Sequence, residues 1–376
     1  MKTMSDTENN PNDPLAELRE RLTYPAFHPS TIPIQVDANT VHIRSGPWGG
    51  PVFTVRDTDE DDVITDVLER IDGRTHVDDI AEGMSESERE EIARALTALD
   101  ESNVVYDAEE AEGDELYPHL LMKQRFQERE RRRLDDQSIL LINAGRIGPQ
   151  VGEDVLSYGV GEVGFLQPVD AHAVDAPQLT NDDRVTTYDG QPMESAVKHH
   201  DFVVYTADRM LPELETQLNE HTQATDTPWV TGQILGFDGL VGPAIFPGET
   251  ACFECFRSRT LSNVKNPRGY EEYCKTLADD DHLATASLPG FSRLVAGMLS
   301  LDLLHLLTYG VGYTAGRVVT VDANTLEMEE NEVLKLPRCE ACGREPGVDV
   351  GRFLTLDDMV EADEFNEAGR PEEADD

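Results

Sequence analysis

Apolar residues in the middle of the chain fall into short continuous runs separated by amphipathic segments. The runs "SILLINAG", "EVGFLQPVD", "HDFVVYTAD" and "PWVTGQIL" have the length and composition of buried strands, and the segments "QVGEDVLSYG" and "MLPELETQLNEH" predict helices. Strands that are apolar along their whole length and alternate with helices indicate a mostly parallel sheet covered on both faces. We therefore predict a Rossmann-like α/β domain over residues 137–348.

A different pattern precedes this domain. The runs "IPIQVD", "TVHIR" and "PVFTVR" predict three short strands, and three short helices follow them. Ser85 and Glu88 have the spacing of a capping box at the start of the third helix, and Ile92 and Leu96 lie on one face of that helix. Three strands followed by three helices predict a winged-helix-like α+β module over residues 24–110.

The segments outside these two domains are rich in polar and charged residues. We expect residues 1–23 to be a disordered acidic N-terminus, residues 111–136 to form a charged linker helix, and residues 349–376 to form an acidic tail. The longest apolar stretch, residues 294–307, includes Asp302 and is too short to span a bilayer. It therefore predicts a buried core helix and no membrane span.

The charge of the chain excludes one class of partner and indicates an environment. The formal net charge is -44, with 75 Asp and Glu residues against 31 Lys and Arg residues. An acidic surface along the whole chain indicates solvation in a salt-rich cytoplasm, where counterions screen the self-repulsion. The polar N-terminal residues lack the pattern of a secretory signal, which agrees with a cytoplasmic location. Nucleic acid is excluded as a partner because phosphate binding requires a basic face, and the sequence shows none.

Four of the five cysteines form two C-x-x-C pairs, which in a cytoplasmic chain favour metal binding over disulfides. Four thiolates complete the tetrahedral coordination of Zn²⁺ and leave no open position, so the predicted zinc is structural and not catalytic. Because the two pairs are far apart in the sequence, the metal would tie distant segments together. The predicted ligands are Cys252, Cys255, Cys339 and Cys342.

The first strand of the α/β domain runs into a loop, "NAGRIG", that has some features of a phosphate-binding turn. In such a turn, glycines let backbone N–H groups approach a phosphate at the start of the following helix. Gly145 and Gly148 are present, but Asn143 replaces the first glycine and Arg146 occupies the position of closest approach. The arginine side chain would fill the phosphate space, although its charge also suits a phosphate. The loop alone leaves nucleotide binding open.

Residues 138–345 together resemble the ThiF-type superfamily of ubiquitin-like-modifier-activating proteins. The matching segments come in the family's order: "ILLINAGRIG", "YGVGEVGFL", "DFVVYTADR", "GQILGFDGLVGPAIFPGETACFEC", "SRLVAGMLSLDLLHLL" and "GRVVTVDANTLEMEE", which runs into "LPRCEACG". The phrase "FPGETACFECF" before the first cysteine pair is highly specific. The resemblance implies a Rossmann-like fold, and it makes Asp208 the counterpart of the metal-holding Asp in members that use ATP and Mg²⁺.

Several positions depart from the adenylating members of this family. Gln167 stands at or near the position where those members hold the ribose with an acidic residue. The segment that should supply an Arg and a Lys to the ATP phosphates is short, and Arg184 and Lys198 do not reproduce its context. Since electrostatic stabilisation of phosphoryl oxygens is the main catalytic device of such chemistry, we expect no autonomous enzymatic activity. The residues that remain of this degenerate nucleotide site are Gly145, Arg146, Gly148 and Asp208.

Cys274 lies roughly where activating enzymes of the family carry an acyl-accepting cysteine, so the resemblance makes it a candidate catalytic residue. Its neighbours in "YEEYCKT" are acidic, and nearby negative charge raises the pKa of a thiol and reduces the fraction of reactive thiolate. We therefore expect a buried or incidental thiol at this position.

The N-terminal module resembles the PqqD-like peptide-recognition element that precedes degenerate ThiF-type domains in azoline-forming peptide biosynthesis. In that family a leader peptide adds a strand to the edge of the module's sheet and contacts the third helix, which is β-augmentation. By this resemblance the peptide would contact Phe53 and Val55 on the third strand, and Ile92 and Leu96 on the helix. A winged helix that serves only as a packing or dimer surface is the alternative, because a fold alone does not establish function.

The order of module, charged segment, ThiF-like domain and zinc ligands is similar to that of leader-binding proteins in thiazole- and oxazole-modified peptide (bacteriocin) pathways. The resemblance implies a scaffold that presents a precursor peptide to a separate YcaO-type ATP-dependent cyclodehydratase, which forms azolines on Cys, Ser or Thr. It also implies a homodimer. Two alternatives stay open. One is an enzyme that uses ATP and Mg²⁺ to adenylate the C-terminal carboxylate of a sulfur carrier or peptide, and the other is a zinc-stabilised structural protein.

Overall fold

The apolar runs identified in the sequence form the strands of two separate units in a computed structural model of the chain. The structure describes residues 15–19, 21–37, 40–48, 51–56, 67–102, 104–109, 134–168, 176–188, 190–279 and 288–343. Residues up to Leu134 belong to the first unit, and most residues from Asp135 onward belong to the second. Each unit has its own hydrophobic core.

The first unit is an α+β module. Its described elements are α1 (Ala16–Arg19), β1 (Pro25–Phe27), β2 (Thr31–Asp37), β3 (Thr40–Ser45), β4 (Pro51–Arg56), α2 (Val77–Ile80), α3 (Glu86–Glu101) and β5 (Val105–Asp107). Strands β2, β3 and β4 form an antiparallel sheet in that order, and β1 pairs with β5. The predicted capping box forms at the start of α3, because Ser85 Oγ accepts from the Glu88 N–H and the Glu88 carboxylate accepts from the Ser85 N–H.

The N-terminal boundary of this unit corrects the prediction of a disordered segment over residues 1–23. Ala16–Arg19 is helical, and Leu15, Leu18 and Leu22 are buried in the core of the unit with relative exposures of 1%, 3% and 0%. Their spacing of three and four residues is the hydrophobic period of a helix, although only Leu18 of the three lies within Ala16–Arg19. Residues before Leu15 lie outside the described part of the chain.

Two predicted segments lie largely or wholly outside the described residues. The charged linker helix is predicted over residues 111–136, of which the structure describes residues 134–136. The acidic tail is predicted over residues 349–376, none of which the structure describes. Both assignments stay predictions.

The second unit contains an eight-stranded sheet of the predicted Rossmann-like type. Strands β6–β13 occur in the order β13-β12-β11-β10-β9-β6-β7-β8. The five strands from β10 to β8 run parallel, and β11, β12 and β13 extend the sheet antiparallel at one edge. The described elements are β6 (Ser138–Ala144), α4 (Ile147–Ser157), β7 (Glu162–Leu166), α5 (Pro177–Thr180), β8 (Val185–Thr187), α6 (Met193–Val197), β9 (Phe202–Ala207), α7 (Pro212–Thr225), β10 (Trp229–Leu235), β11 (Asp238–Ile245), α8 (Phe253–Asn263), α9 (Pro267–Asp279), α10 (Pro289–Tyr309), β12 (Arg317–Asp322) and β13 (Met328–Glu332).

The strand order confirms the mostly parallel sheet and gives the glycine loop its place. Strand β6 pairs with β7 on one side and with β9 on the other, so the direction of strand progression reverses at β6. Ligands of open α/β sheets bind at such a reversal, beyond the carboxyl ends of the strands. The glycine loop follows β6 directly, and Asp208 follows β9. Both therefore lie where a nucleotide would bind in a fold of this kind.

Helix α10 is the buried core helix that the longest apolar stretch predicts. Among the described residues it is the one helix long and apolar enough to cross a membrane, but 67% of its most apolar window is buried inside the unit. Glycines on the sheet make room for its side chains. A Cβ on Gly232 of β10 would lie 2.6 Å from Leu299, and a Cβ on Gly239 of β11 would lie 2.6 Å from Val295. These contacts are typical of a core helix packed on a sheet.

Candidate metal centre and glycine loop

Four cysteines converge at the start of helix α8. Cys252 is the N-cap of α8 and Cys255 lies in its first turn, whereas Cys339 and Cys342 lie in the loop after β13. The Sγ atom of Cys252 is 3.9 Å from that of Cys255 and 3.6 Å from that of Cys339. The Sγ atoms of Cys255 and Cys342 are 3.5 Å apart, and all four lie within 4.8 Å of one another. The structure thus brings together the four residues predicted as metal ligands.

The spacing of these thiols fits a tetrahedral metal ion. Zn–S bonds of about 2.3 Å in tetrahedral geometry separate neighbouring sulfurs by about 3.8 Å, which is close to the observed distances. Burial raises the pKa of the Cys255 thiol to about 11 and also raises the pKa of Cys252. A cation among the four sulfurs supplies the charge that stabilises them as thiolates. The cluster is therefore able to bind a metal ion.

Backbone hydrogen bonds of the loop after β13 position the second cysteine pair and contact one of the sulfur atoms. The Gly343 N–H donates to the Cys339 carbonyl oxygen at 2.8 Å, and a Cβ on Gly343 would lie 2.2 Å from that oxygen. A side chain at this position would block the turn. The Leu336 N–H donates to Cys255 Sγ at 3.3 Å, a hydrogen bond that favours the charged form of the sulfur. The loop is thus built to hold thiolates.

The glycine loop between β6 and α4 is closed by its own side chains. Asn143 is buried, and its Oδ1 accepts hydrogen bonds from the Gly145 N–H at 3.3 Å and from Thr206 Oγ1 at 3.1 Å. A Cβ on Gly148 would lie 2.3 Å from the same Asn143 oxygen. Gly148 therefore permits close packing of α4 on β6 and β9, as the third glycine of a dinucleotide-binding turn does.

Asp208 fills the other part of the same space. It follows β9, it is buried, and its Oδ2 accepts a hydrogen bond from the Arg146 N–H at 3.0 Å. A Cβ on Gly145 would lie 2.4 Å from Asp208 Oδ1. Because a carboxylate at a helix N-terminus interacts favourably with the helix dipole, Asp208 takes the role of an anion at the start of α4. The N–H groups of Gly145 and Arg146 are thus already hydrogen-bonded, and they do not fit a nucleotide phosphate as they stand.

Three further positions were compared in the sequence with ATP-contacting residues of the family. None of the three side chains is arranged for such a contact in this structure. Gln167 directly follows β7 and supplies no carboxylate for a ribose. Arg184 forms a bidentate ion pair with Asp182, at 3.0 and 2.9 Å, and also donates to a backbone carbonyl. Lys198 pairs with Glu194 four residues earlier, and both side chains are exposed. Both basic residues therefore have local partners.

Cys274 lies on α9 and does not belong to the four-cysteine cluster. Its Sγ is 3.7 Å from Met210 Sδ. Burial, and to a smaller extent the Glu215 carboxylate, raises the pKa of the thiol. A raised pKa leaves little reactive thiolate near neutral pH. The direction agrees with the expectation from acidic neighbours, but burial is the leading physical cause.

The four residues predicted to contact a peptide differ in accessibility. Phe53 and Val55 lie on β4, which is an edge strand of the described sheet, and they are partly buried against the core of the first unit. Ile92 and Leu96 of α3 are 5% and 0% exposed, because the helix turns this apolar face towards the core. Of the four, only Phe53 and Val55 offer surface to a peptide in this structure.

One buried acid was not identified from the sequence. Glu215 on α7 is 3% exposed and accepts a hydrogen bond from Gln233 Nε2 at 2.7 Å. Burial raises the pKa of its carboxyl to about 7. A signal exists in the sequence, because Glu215 falls between Leu211 and Leu218 at the spacing of one helical face. A charged residue on an apolar face with a perturbed pKa is a candidate functional residue.

Comparison with known proteins agrees with this geometry. Residues 169–342 match the sequence model of the ThiF family. The matched residues include all four cysteines of the cluster and begin after the glycine loop.

Two curated relatives are similar to parts of the chain. The Saccharomyces cerevisiae protein described as "Ubiquitin-activating enzyme E1-like" is 25% identical over 157 residues, which are 34% of this chain and 24% of the relative. The Escherichia coli molybdopterin-synthase adenylyltransferase is 22% identical over 247 residues, which are 56% of this chain and 89% of the relative. The chain therefore spans about a quarter of the yeast protein and most of the bacterial one.

Solved structures with a similar fold include a heterocyclase and a microcin biosynthetic enzyme. The heterocyclase TruD superposes with a TM-score of 0.59 at 16% identity, over 85% of this chain and 43% of TruD. Escherichia coli MccB with ATP superposes with a TM-score of 0.57 at 13% identity, over 85% of this chain and 99% of MccB. MccB, described as the microcin C7 biosynthetic enzyme, is also known in complex with N-formylated MccA. At these identities the similarity is one of fold.

Proposed function

We propose that this protein is a scaffold that binds the leader of a ribosomal precursor peptide and presents the peptide to a separate YcaO-type cyclodehydratase. The observation that carries the proposal is the edge strand β4, with Phe53 and Val55 at alternate positions partly buried against the core. β-Augmentation needs an edge strand for main-chain hydrogen bonds and apolar sites at alternate positions for specificity. The fold similarity to TruD and to the MccA-binding protein MccB supports a peptide as the partner.

The two edges of the small sheet differ in a way that favours β4. Strand β2 carries Pro33, which lacks a backbone N–H, in its interior, whereas the pairing of each edge strand with β3 has one irregularity. Prolines and bulges are devices that protect sheet edges from added strands. Strand β4 has its proline, Pro51, at the first position, where it interferes least with pairing. A peptide strand is therefore expected to add to β4.

The closed glycine loop supports a scaffold without autonomous adenylation. Asn143 and Asp208 occupy the N–H donors that a phosphate would require. In this proposal the partner carries the ATP-dependent step, and the scaffold raises the effective concentration of the core peptide at the partner's active site. A homodimer belongs to the proposal and is testable from the mass of the complex in solution.

Leader binding is tested by titrating a precursor peptide encoded beside the gene against the full chain in about 2 M KCl, which screens the acidic surface. We expect Phe53→Ala and Val55→Ala each to weaken binding, and the double variant to weaken it about tenfold, equivalent to about 1.4 kcal/mol. Ile34→Ala is the matched control, because Ile34 is an exposed apolar residue on the opposite edge strand. Equal affinities of the double variant and the control would refute the assignment to β4.

A second candidate function is adenylation of a carboxylate. It is favoured by the similarity to molybdopterin-synthase adenylyltransferase over 89% of that protein and by the position of Asp208 after β9. One further observation favours a ligand near the loop: the buried Nδ2 of Asn143 has no hydrogen-bond partner among the described residues. An adenylating protein would exchange pyrophosphate into ATP when given its carboxylate substrate, whereas the proposed scaffold would not.

We propose zinc as the metal of the cysteine cluster. Four sulfur ligands at tetrahedral spacing favour Zn²⁺ over harder ions, and a site with no open position is structural. Metal analysis of the purified chain is expected to give one zinc per chain. Iron in place of zinc would correct the metal, and much less than one metal ion per chain would refute the site.

A further inference from the structure

A cavity of about 460 Å³ lies in the second unit between α7, α8, α9 and strands β10 and β11. Most of its wall is apolar, with Leu235, Leu240, Phe253, Phe256 and Leu261 among the lining residues. Cavities of this size, mostly apolar with a few polar groups, are the usual form of small-molecule sites. This site does not involve the first unit, so it is independent of the proposed leader binding.

Glu215 is the polar group at the buried part of this wall. It is 3% exposed, and the Gln233 amide nitrogen that donates to its Oε1 also lines the cavity. The Gln233 nitrogen is itself held by Thr231 Oγ1 at 2.9 Å, so the pair has a fixed arrangement. Among the described residues the Glu215 carboxyl has this one amide partner, so it retains acceptor capacity for a further donor.

The charges of the wall favour a cation as that donor. The two basic lining residues are already ion-paired, Arg257 with Glu254 at 2.8 Å and Lys275 with Glu272 at 2.8 Å. The acidic lining residues are Glu215 and Glu271, so once Glu254 and Glu272 have neutralised the two basic residues the remaining charge at the wall is negative. A buried charge is stabilised by an opposite charge that also donates a hydrogen bond.

We propose that this cavity binds a small amphipathic primary amine, with the apolar body among the aromatic and leucine side chains and the ammonium group donating to Glu215. Phe253 and Phe256 supply the faces against which an aromatic or aliphatic body packs. Neutral analogues lose the ionic contact with Glu215, and anionic analogues are repelled by it.

The titration of the wall makes the proposal testable by pH. Burial raises the pKa of the Glu215 carboxyl to about 7. Glu215 interacts with Tyr205, Tyr270 and Cys274, and burial raises the pKa of each above its ordinary value. Arg209 also interacts with Tyr205, from the loop before α7. Ion pairing raises the pKa values of Arg257 and Lys275, so both stay charged, and Glu271 lies exposed at the rim. The amine therefore binds better once Glu215 has lost its proton.

The experiment compares 2-phenylethylamine with 2-phenylethanol and 3-phenylpropionate by calorimetric titration of the full chain in about 2 M KCl, where surface charges are screened. At about pH 8 we expect the amine to bind about tenfold more tightly than the alcohol, and the acid not to bind. Glu215→Gln should remove the advantage of the amine. Glu220→Gln, an exposed position on the same helix, should leave it unchanged.

The wild-type chain alone provides a second test that does not depend on folding of the variants. Between about pH 6 and pH 8 the ionised fraction of a carboxyl with a pKa of about 7 rises about tenfold, so the affinity for the amine should rise by the same factor. The affinity for the alcohol should stay constant. Equal affinities for amine and alcohol, a pH-independent affinity for the amine, or equal effects of the two variants would each overturn the proposal.

Discussion

The cysteine cluster and the glycine loop lie in the same unit, and each has the sequence of a ligand-binding motif. They differ in whether their polar groups have partners within the protein. In the cluster, four thiols converge, and burial makes the ionisation of Cys252 and Cys255 unfavourable without a cation. In the loop, complementary groups meet, because the N–H donors of Gly145 and Arg146 are bonded to Asn143 and Asp208. The four thiols require a cation, whereas these two N–H donors of the loop are satisfied within the protein. A motif therefore predicts a ligand only when its polar groups have no partner within the protein.

The largest effect is expected when the cluster loses a ligand. Cys339→Ser should release the metal and lower the Tm by about 10 °C or more, because a structural site contributes its binding free energy to folding. Cys274→Ser is the control, since Cys274 lies outside the cluster. Metal analysis and thermal unfolding check both variants. A full metal content and an unchanged Tm in Cys339→Ser would show that the cluster resembles the loop and needs no ligand.

Glu215 tests whether burial without an opposite charge makes ionisation unfavourable, as the comparison assumes for the cysteine cluster. Its folded pKa of about 7 lies above the ordinary value of 4.5, so folding favours the protonated form. Stability from this group is complete below about pH 4.5 and is lost as the pH rises through about 7. Glu215→Gln should match the wild type at about pH 4.5 and be more stable by up to about 3 kcal/mol at about pH 8.

Urea unfolding at the two pH values measures this difference directly. Glu220→Gln, on the exposed face of the same helix, should change stability little at either pH. A Glu215→Gln effect that is equal at both pH values would mean that folding does not raise the pKa of this carboxyl.

The sequence predicted the features that depend on periodicity and on residue type. Apolar runs predict the buried strands and the core helix α10. The C-x-x-C spacing predicts the four cysteines as metal ligands. The hydrogen bonds that close the glycine loop could not be predicted from the sequence. They depend on Thr206 and Asp208, which lie next to the loop because β6 pairs with β9. The buried leucines before residue 23 were missed because the helix at this point is a single turn, Ala16–Arg19, among polar residues.

The packing of Gly148 against Asn143 predicts a smaller effect on the free energy of unfolding. Gly148→Ala should destabilise the protein by about 2 kcal/mol, because the new Cβ would lie 2.3 Å from Asn143 Oδ1. Asn143→Gly in the same chain should relieve the clash, which gives a coupling of about 1 kcal/mol in a double-mutant cycle.

Gly297→Ala is the matched control for this cycle, because Gly297 lies in helix α10 and nothing lies within 4 Å of an added Cβ. Alanine is the better helix former, so this substitution should be neutral or slightly stabilising. If Gly148→Ala behaved like Gly297→Ala in urea unfolding, the loop would have open space beside Asn143, and the contrast with the cluster would weaken.

The central claim is that the chain keeps a nucleotide-binding fold whose loop no longer supports adenylation. Exchange of labelled pyrophosphate into ATP, measured with the full chain, Mg²⁺ and the co-encoded precursor peptide in about 2 M KCl, tests it most directly. We expect exchange at the level of the reaction without protein, because Asn143 and Asp208 occupy the donors that the phosphates would need. Exchange above that level that disappears in Asp208→Ala would contradict the claim and make the protein an adenylating enzyme.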